Sequence, residues 1–210
     1  MSLSLRLVLF SSLALTLSAQ SGGAVVSVEE LRNPLAGKSL RAIVAAQEHL
    51  KSGQRERGIQ ELRQAMSDPA AVPLAISMLG VEHLKAGQLD AALSELDQAV
   101  HLLPGRPENH SNLAYALCLT GQTERGLQEA RKALQLDPGR PKSRLVLGML
   151  LLQQGSHDAE AVRHLEVVAR EIPSAHLELA KHYDRVGHAP EAERERRAFE
   201  VTSMALLATK

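Results

Sequence analysis

The chain has 210 residues, 44% of them apolar, enough to bury a sizeable core. Its 24 basic residues balance 24 acidic ones, and with no Trp, two Phe and two Tyr it offers neither the field nor the stacking rings of a nucleic-acid binder. The single cysteine, Cys118, excludes an intramolecular disulfide and a cysteine-rich zinc site.

Arg6 precedes an apolar run from Leu7 to Leu17, and small and polar residues follow. That layout predicts a secretory signal over residues 1–21, cleaved after Ser21 or alternatively after Ala19, and hence a periplasmic or secreted protein. The run is shorter than the roughly 20 residues a bilayer span requires, so no stable span is expected in the mature chain. The alternative is a retained N-terminal anchor, because no charge stands between Arg6 and Glu29. Residues 22–38 read as a linker with one helical turn, where Ser27 and Glu30 have capping-box spacing and Asn33-Pro34 ends it. Gly37-Lys38-Ser39 is not a phosphate loop, since Arg32 stands where that loop needs glycine.

From Ser39 onward the chain repeats. Gly53, Gly87, Gly121, Gly155 and Gly187 follow one another at intervals of 34, 34, 34 and 32. Seven places before each stands a small residue: Ala46, Gly80, Ala114, Gly148 or Ala180. A second small column runs through Gly58, Ala92, Gly126, Ala161 and Ala192, and Pro69, Pro104, Pro138 and Pro173 close the segments. Each unit predicts two helices. In the third, Pro107 to Thr120 has Leu113, Ala116, Leu117 and Cys118 at helical spacing, and Thr123 to Leu136 carries Leu127, Ala130, Ala133 and Leu134 on one face. Asp137-Pro138-Gly139 then turns the chain.

Leu79, Gly80, His83, Ala92, Leu96, Ala99 and Pro104, and again Leu113, Ala114, Leu117, Gly126, Ala130, Ala133 and Pro138, carry a known signature. It is met a third time by Leu147, Gly148, Leu151, Ala161, Leu165, Val168 and Pro173, with one extra residue after Gly155. The chain resembles the tetratricopeptide-repeat family over about four-fifths of its length. It departs at the family's usual tryptophan, replaced by Ala42, Ile76, His110, Arg144 and His176, and at Arg196, where an apolar residue is expected. The resemblance implies an all-α, right-handed α-solenoid of about five helix-turn-helix units over residues 39–210. The repeats fall at about 39–72, 73–106, 107–140, 141–173 and 174–207, the last with the polar outer face of a cap.

The family also implies a protein or peptide partner bound on the concave wall of first helices. Carried over by position, that wall presents Ile43 and Gln47, then Ser77, Val81 and Lys85, then Glu108, Ser111, Asn112 and Tyr115, then Lys142, Leu145 and Met149. The expected partner-binding residues are Ser77, Val81, Glu108, Ser111, Asn112, Tyr115, Lys142 and Met149, with Tyr115 as the anchor. Only Asn112 and Lys142 match the set with which some members clamp the C-terminal carboxylate of cytosolic chaperones.

Chemistry is not expected. Among nine histidines, His49 and His83 occupy equivalent packing places, and His176, His182 and His188 are spaced to opposite sides of a helix. Cys118 sits among core leucines, and a buried thiol behaves as a small hydrophobe. Asn109-His110-Ser111 is formally a glycosylation triplet but opens a helix, and the mixed charges from Glu191 to Arg197 read as a solvated face. No catalytic residue, metal site or cofactor is predicted; the alternative is a histidine-dependent metal-binding factor or enzyme of the cell envelope.

Overall fold

The computed structural model describes residues 37–208, so the expected signal segment and nearly all of the linker lie outside the described residues. Among the described residues the chain is all-α, with ten helices in five antiparallel pairs. These are α1 (Gly37–Lys51) with α2 (Arg55–Ala65), α3 (Val72–Lys85) with α4 (Leu89–Leu102), and α5 (Pro107–Leu119) with α6 (Thr123–Leu136). Then come α7 (Pro141–Gln154) with α8 (Asp158–Val168), and α9 (Ser174–Arg185) with α10 (Ala189–Ala208). Two compact units divide the chain between Pro104 and Gly105. The first contains α1 to α4 and the second α5 to α10.

The glycine column ends every first helix for one reason. All five glycines have φ between 72° and 80°, the left-handed region that a Cβ disfavours. In four pairs the next residue closes a Schellman turn onto the helix it leaves: Gln54 to His49, Gln88 to His83, Gln122 to Leu117 and His188 to Tyr183, N–H to carbonyl at 2.8 to 2.9 Å. Gly155, followed by the extra residue, instead donates to the Leu151 carbonyl at 3.1 Å. At the far end of the third pair, Asp137 Oδ1 accepts the Gly139 N–H at 3.1 Å and holds the turn that proline initiates.

The small columns set how closely paired helices approach, and in the second, third and fourth pairs the opposing side chain is matched to them. A Cβ built on Gly80 would lie 2.8 Å from Leu96 Cγ, and one on Gly148 would lie 2.7 Å from Leu165 Cγ. Where the column holds Ala114 instead, the residue at the matching place on the second helix is Ala130, and both are fully buried. In the last pair that place is Arg196, which ion-pairs with Asp184 at 2.5 Å and Glu193 at 3.6 Å. Leu62, Leu96, Leu113, Leu117, Leu150, Leu151, Leu165 and Leu179 are fully buried, each contributing about 1.5 to 3 kcal/mol of transfer free energy.

Successive pairs are also joined through polar groups. Helix ends leave carbonyls without intrahelical partners. In the second unit Gln153 Nε2 donates to the Cys118 carbonyl at 3.3 Å and Arg185 Nη1 to the Leu152 carbonyl at 2.8 Å. Both donors stand two places before their own helix-ending glycine, so the same position caps the preceding first helix twice. In the first unit Arg55 Nη2 reaches the Glu82 carbonyl at 3.1 Å. The buried Glu82 carboxylate is held by Lys85 Nζ at 2.6 Å, with Arg55 Nε at 3.8 Å.

The polar outer face expected of a terminal helix holds along α10 through Glu193, Arg194, Arg197 and Glu200, all exposed. It then gives way to exposed Val201, Met204 and Leu207.

Candidate partner-binding surface

In the second unit the first helices α5, α7 and α9 pack side by side, since α7 touches both of its neighbours. Along α5 the helical spacing sets Glu108, Ser111, Asn112, Tyr115 and Cys118 toward one side; α7 brings Lys142, Met149 and Gln153, and α9 brings Glu178 and Lys181. Glu108, Asn112, Lys142 and Met149 are half-buried, whereas Ser111 and Tyr115 are buried, Tyr115 retaining 8% of its surface. The structure therefore brings six of the eight expected residues to these helices, with Tyr115 in the floor. Ser77 and Val81 belong to the first unit, both half-buried on α3.

The electrostatics of the floor reach from α5 to α9. Burial pushes the Tyr115 hydroxyl far above its usual range, and the Cys118 thiol and Glu178 carboxylate add to it. The Cys118 thiol is pushed up to about 12 by burial and then by Glu178, with Lys181 opposing. A thiol held protonated at neutral pH is a poor nucleophile. The charges along the surface are paired locally: Arg140 Nη1 to Glu108 Oε1 at 2.5 Å and Lys181 Nζ to Glu178 Oε1 at 2.6 Å.

Gln153, Glu178 and Lys181 were not among the residues expected from the sequence. Glu178 and Lys181 are Asn112 and Tyr115 advanced by 66, two repeats less the shortening of the last one. The signal was present in the glycine spacing.

Three histidines are engaged between paired helices. His110 Nδ1 meets Glu129 Oε2 at 2.7 Å and His176 Nδ1 meets Glu195 Oε2 at 2.7 Å, both 19 residues apart and both in the family's tryptophan position. His83 Nδ1 meets Glu95 Oε2 at 2.5 Å, and this glutamate occupies the same place on its helix as Glu129. An imidazole bonded to a carboxylate thus fills the place of the large ring in two pairs. His182 is buried, its pKa pushed down by that burial while Asp158, 3.7 Å away, opposes the shift. Asn109 is fully buried, so its glycosylation triplet is inaccessible in the fold. Among the described residues no cluster of three or more His, Cys, Asp or Glu could hold a metal ion, and no helix is long and apolar enough to cross a membrane.

The tetratricopeptide-repeat model matches residues 77–141 and 120–176. Residues 77–176 are tetratricopeptide repeats. No curated protein matches it in sequence. Solved structures with the same fold include PilW, a widely conserved type IV pilus biogenesis factor, at 21% identity and TM-score 0.69, covering 80% of this chain and 79% of that one. MamA 41-end from Desulfovibrio magneticus RS-1 aligns at 14% identity and TM-score 0.65 over 81% of this chain and 98% of that one. A further MamA crystal structure aligns at 18% and 0.59, covering 78% and 96%. At these identities the likeness is one of fold.

Proposed function

We propose that this repeat protein is an exported, non-catalytic scaffold that holds a segment of a partner protein on its first-helix surfaces. One observation carries the reading: side chains of α5, α7 and α9 form a single surface, with Gln153 bonded to the Cys118 carbonyl and Tyr115 and Cys118 in electrostatic reach of Glu178. A surface shared by three successive repeats suits an extended or helical segment better than a small substrate. The aromatic floor at Tyr115 and the half-buried amide of Asn112 supply apolar contact and hydrogen bonding to a peptide. The protonated thiol and the carboxylate-bound histidines favour a structural role over a catalytic one. The signal layout of residues 1–21 supports export, with residues 22–38 as the tether to the repeats over 39–210.

The test is affinity capture from the native envelope with the wild type, followed by binding measurements on Tyr115→Ala and on the double variant Asn112→Ala/Lys142→Ala. Loss of about tenfold or more in affinity with the fold retained is expected. Unaltered affinity in both variants would refute the surface. Sequencing the N-terminus of the native protein should find Gln20, Ser21 or Gly22; an intact Met1 on a cytoplasmic species would refute export.

A further inference from the structure

The two units differ at equivalent positions of their first helices. In the second unit the places one turn apart on α5 and α7 hold Glu108 with Asn112 and Lys142 with Val146. One repeat and two repeats before Glu108 and Asn112, the same places hold Leu74 with Met78 on α3 and Leu40 with Val44 on α1. Leu40 and Val44 are each 49% exposed. Leu74 and Met78 are half-buried, packed against the core cluster that contains Ile43 and Ala46 of α1. The first unit thus presents four apolar side chains in two pairs, each pair at i, i+4 spacing, where the second unit is mostly polar.

The setting of that patch is cationic. Helices α1 and α3 carry Lys38, Arg41, Lys51 and Lys85 against two acids, Glu48 and Glu82. Glu82 is buried and already bonded to Lys85, and Glu48 is 3.5 Å from Lys51. Those contacts balance Lys51 and Lys85, so the surplus is Lys38 and Arg41 at the start of α1, on either side of Leu40 in sequence. A row of apolar side chains at helical spacing matches the apolar face of an amphipathic helix, and a surplus of positive charge favours acidic flanks on that helix.

We infer that the first-helix surface of the first unit docks an amphipathic helical segment of a partner protein, its apolar side chains on Leu40, Val44, Leu74 and Met78 and its flanks acidic. This rests on the reading that first-helix surfaces hold partner segments, and it names the chemistry of what one of them takes.

The probe is an array of synthetic peptides of about 15 residues, long enough for four helical turns, in which apolar spacing and flanking charge vary independently. The full chain should be retained by peptides having both an i, i+3, i+4, i+7 apolar stripe and acidic flanks, at least about tenfold more strongly than by versions with basic flanks. Raised salt should narrow that ratio. The double variant Leu40→Ser/Val44→Ser changes exposed positions and should keep the helical circular dichroism while losing about tenfold or more of the binding. Gln98→Ala, at an exposed position of the second helix α4, should bind these peptides as the wild type does. Equal retention of acidic and basic peptides, or undiminished binding by the double variant, overturns the inference. So does a dimer in solution that the double variant abolishes, which gives the patch to a second copy of the chain. If the array fails while the native partner still depends on Asn112 and Lys142, only this inference falls; if native binding ignores the first helices of both units, the broader reading falls with it.

Discussion

Gly148→Ala tests the matching of small and large residues between paired helices. Its new Cβ would lie 2.7 Å from Leu165 Cγ and 2.9 Å from Cδ2, with the Ala161 carbonyl oxygen at 3.2 Å. Leu165 is fully buried, so it has little room to retreat. Overpacking of this kind costs about 1 to 3 kcal/mol. Replacing glycine by alanine inside a helix returns about 1 kcal/mol of propensity, leaving the single variant about 0 to 2 kcal/mol less stable. Leu165→Ala alone empties the opposite side and should cost about 2 to 5 kcal/mol. In that background the added methyl meets space, and Gly148→Ala should stabilise by about 1 kcal/mol, because the pair then reproduces Ala114 facing Ala130. The assay is urea unfolding followed by helical circular dichroism for the four members of the cycle, at unchanged m-value. An effect of Gly148→Ala equal in the two backgrounds to within about 0.5 kcal/mol would show that these residues do not compete for one space, and the packing argument would fail.

Three further outcomes are expected. Gly121→Ala, at φ 75° with nothing within 4 Å of the new Cβ, should destabilise by about 1 to 2 kcal/mol through backbone strain alone, measured by denaturant unfolding; a more stable variant would contradict the left-handed assignment. Because folding raises the Cys118 pKa from near 9 to about 12, the associated stability is complete below pH 9 and is lost as pH rises from 9 toward 12. Cys118→Ala should therefore flatten the alkaline loss of stability, and the native thiol should resist iodoacetamide at pH 8 until the chain is unfolded; prompt labelling of the folded protein would disprove the burial. For the buried His110 and Glu129 bond, Glu129→Ala should cost about 1 to 3 kcal/mol in thermal unfolding, with a smaller further loss when His110 is also changed; full additivity would mean the bond contributes nothing.

Much of the fold was legible because its punctuation is local. Helix α6 runs from Thr123 to Leu136 as the spacing predicts, and the glycines end first helices through φ angles that no distant contact decides. The division between Pro104 and Gly105 was not legible, since it falls within a Pro-Gly-Arg-Pro stretch repeated unchanged at Pro138 to Pro141. Site depth escaped the sequence as well. The register placed Tyr115 on the right helix, but its burial depends on surroundings that include residues of α9, more than 60 positions later. In the first unit Leu74 and Met78 have the spacing of core residues, and only their partial exposure on α3 distinguishes them from the fully buried leucines.

The most direct measurement of the central claim is site-specific photocrosslinking in the native host. A photoreactive residue would be placed singly at Val44, Asn112 or Met149 on first helices, and at Gln98 or Val167 as exposed positions on second helices. The scaffold account predicts that a discrete partner protein is captured from the first three positions and not from the other two. Capture from Gln98 and Val167, with none from Val44, Asn112 or Met149, would contradict it.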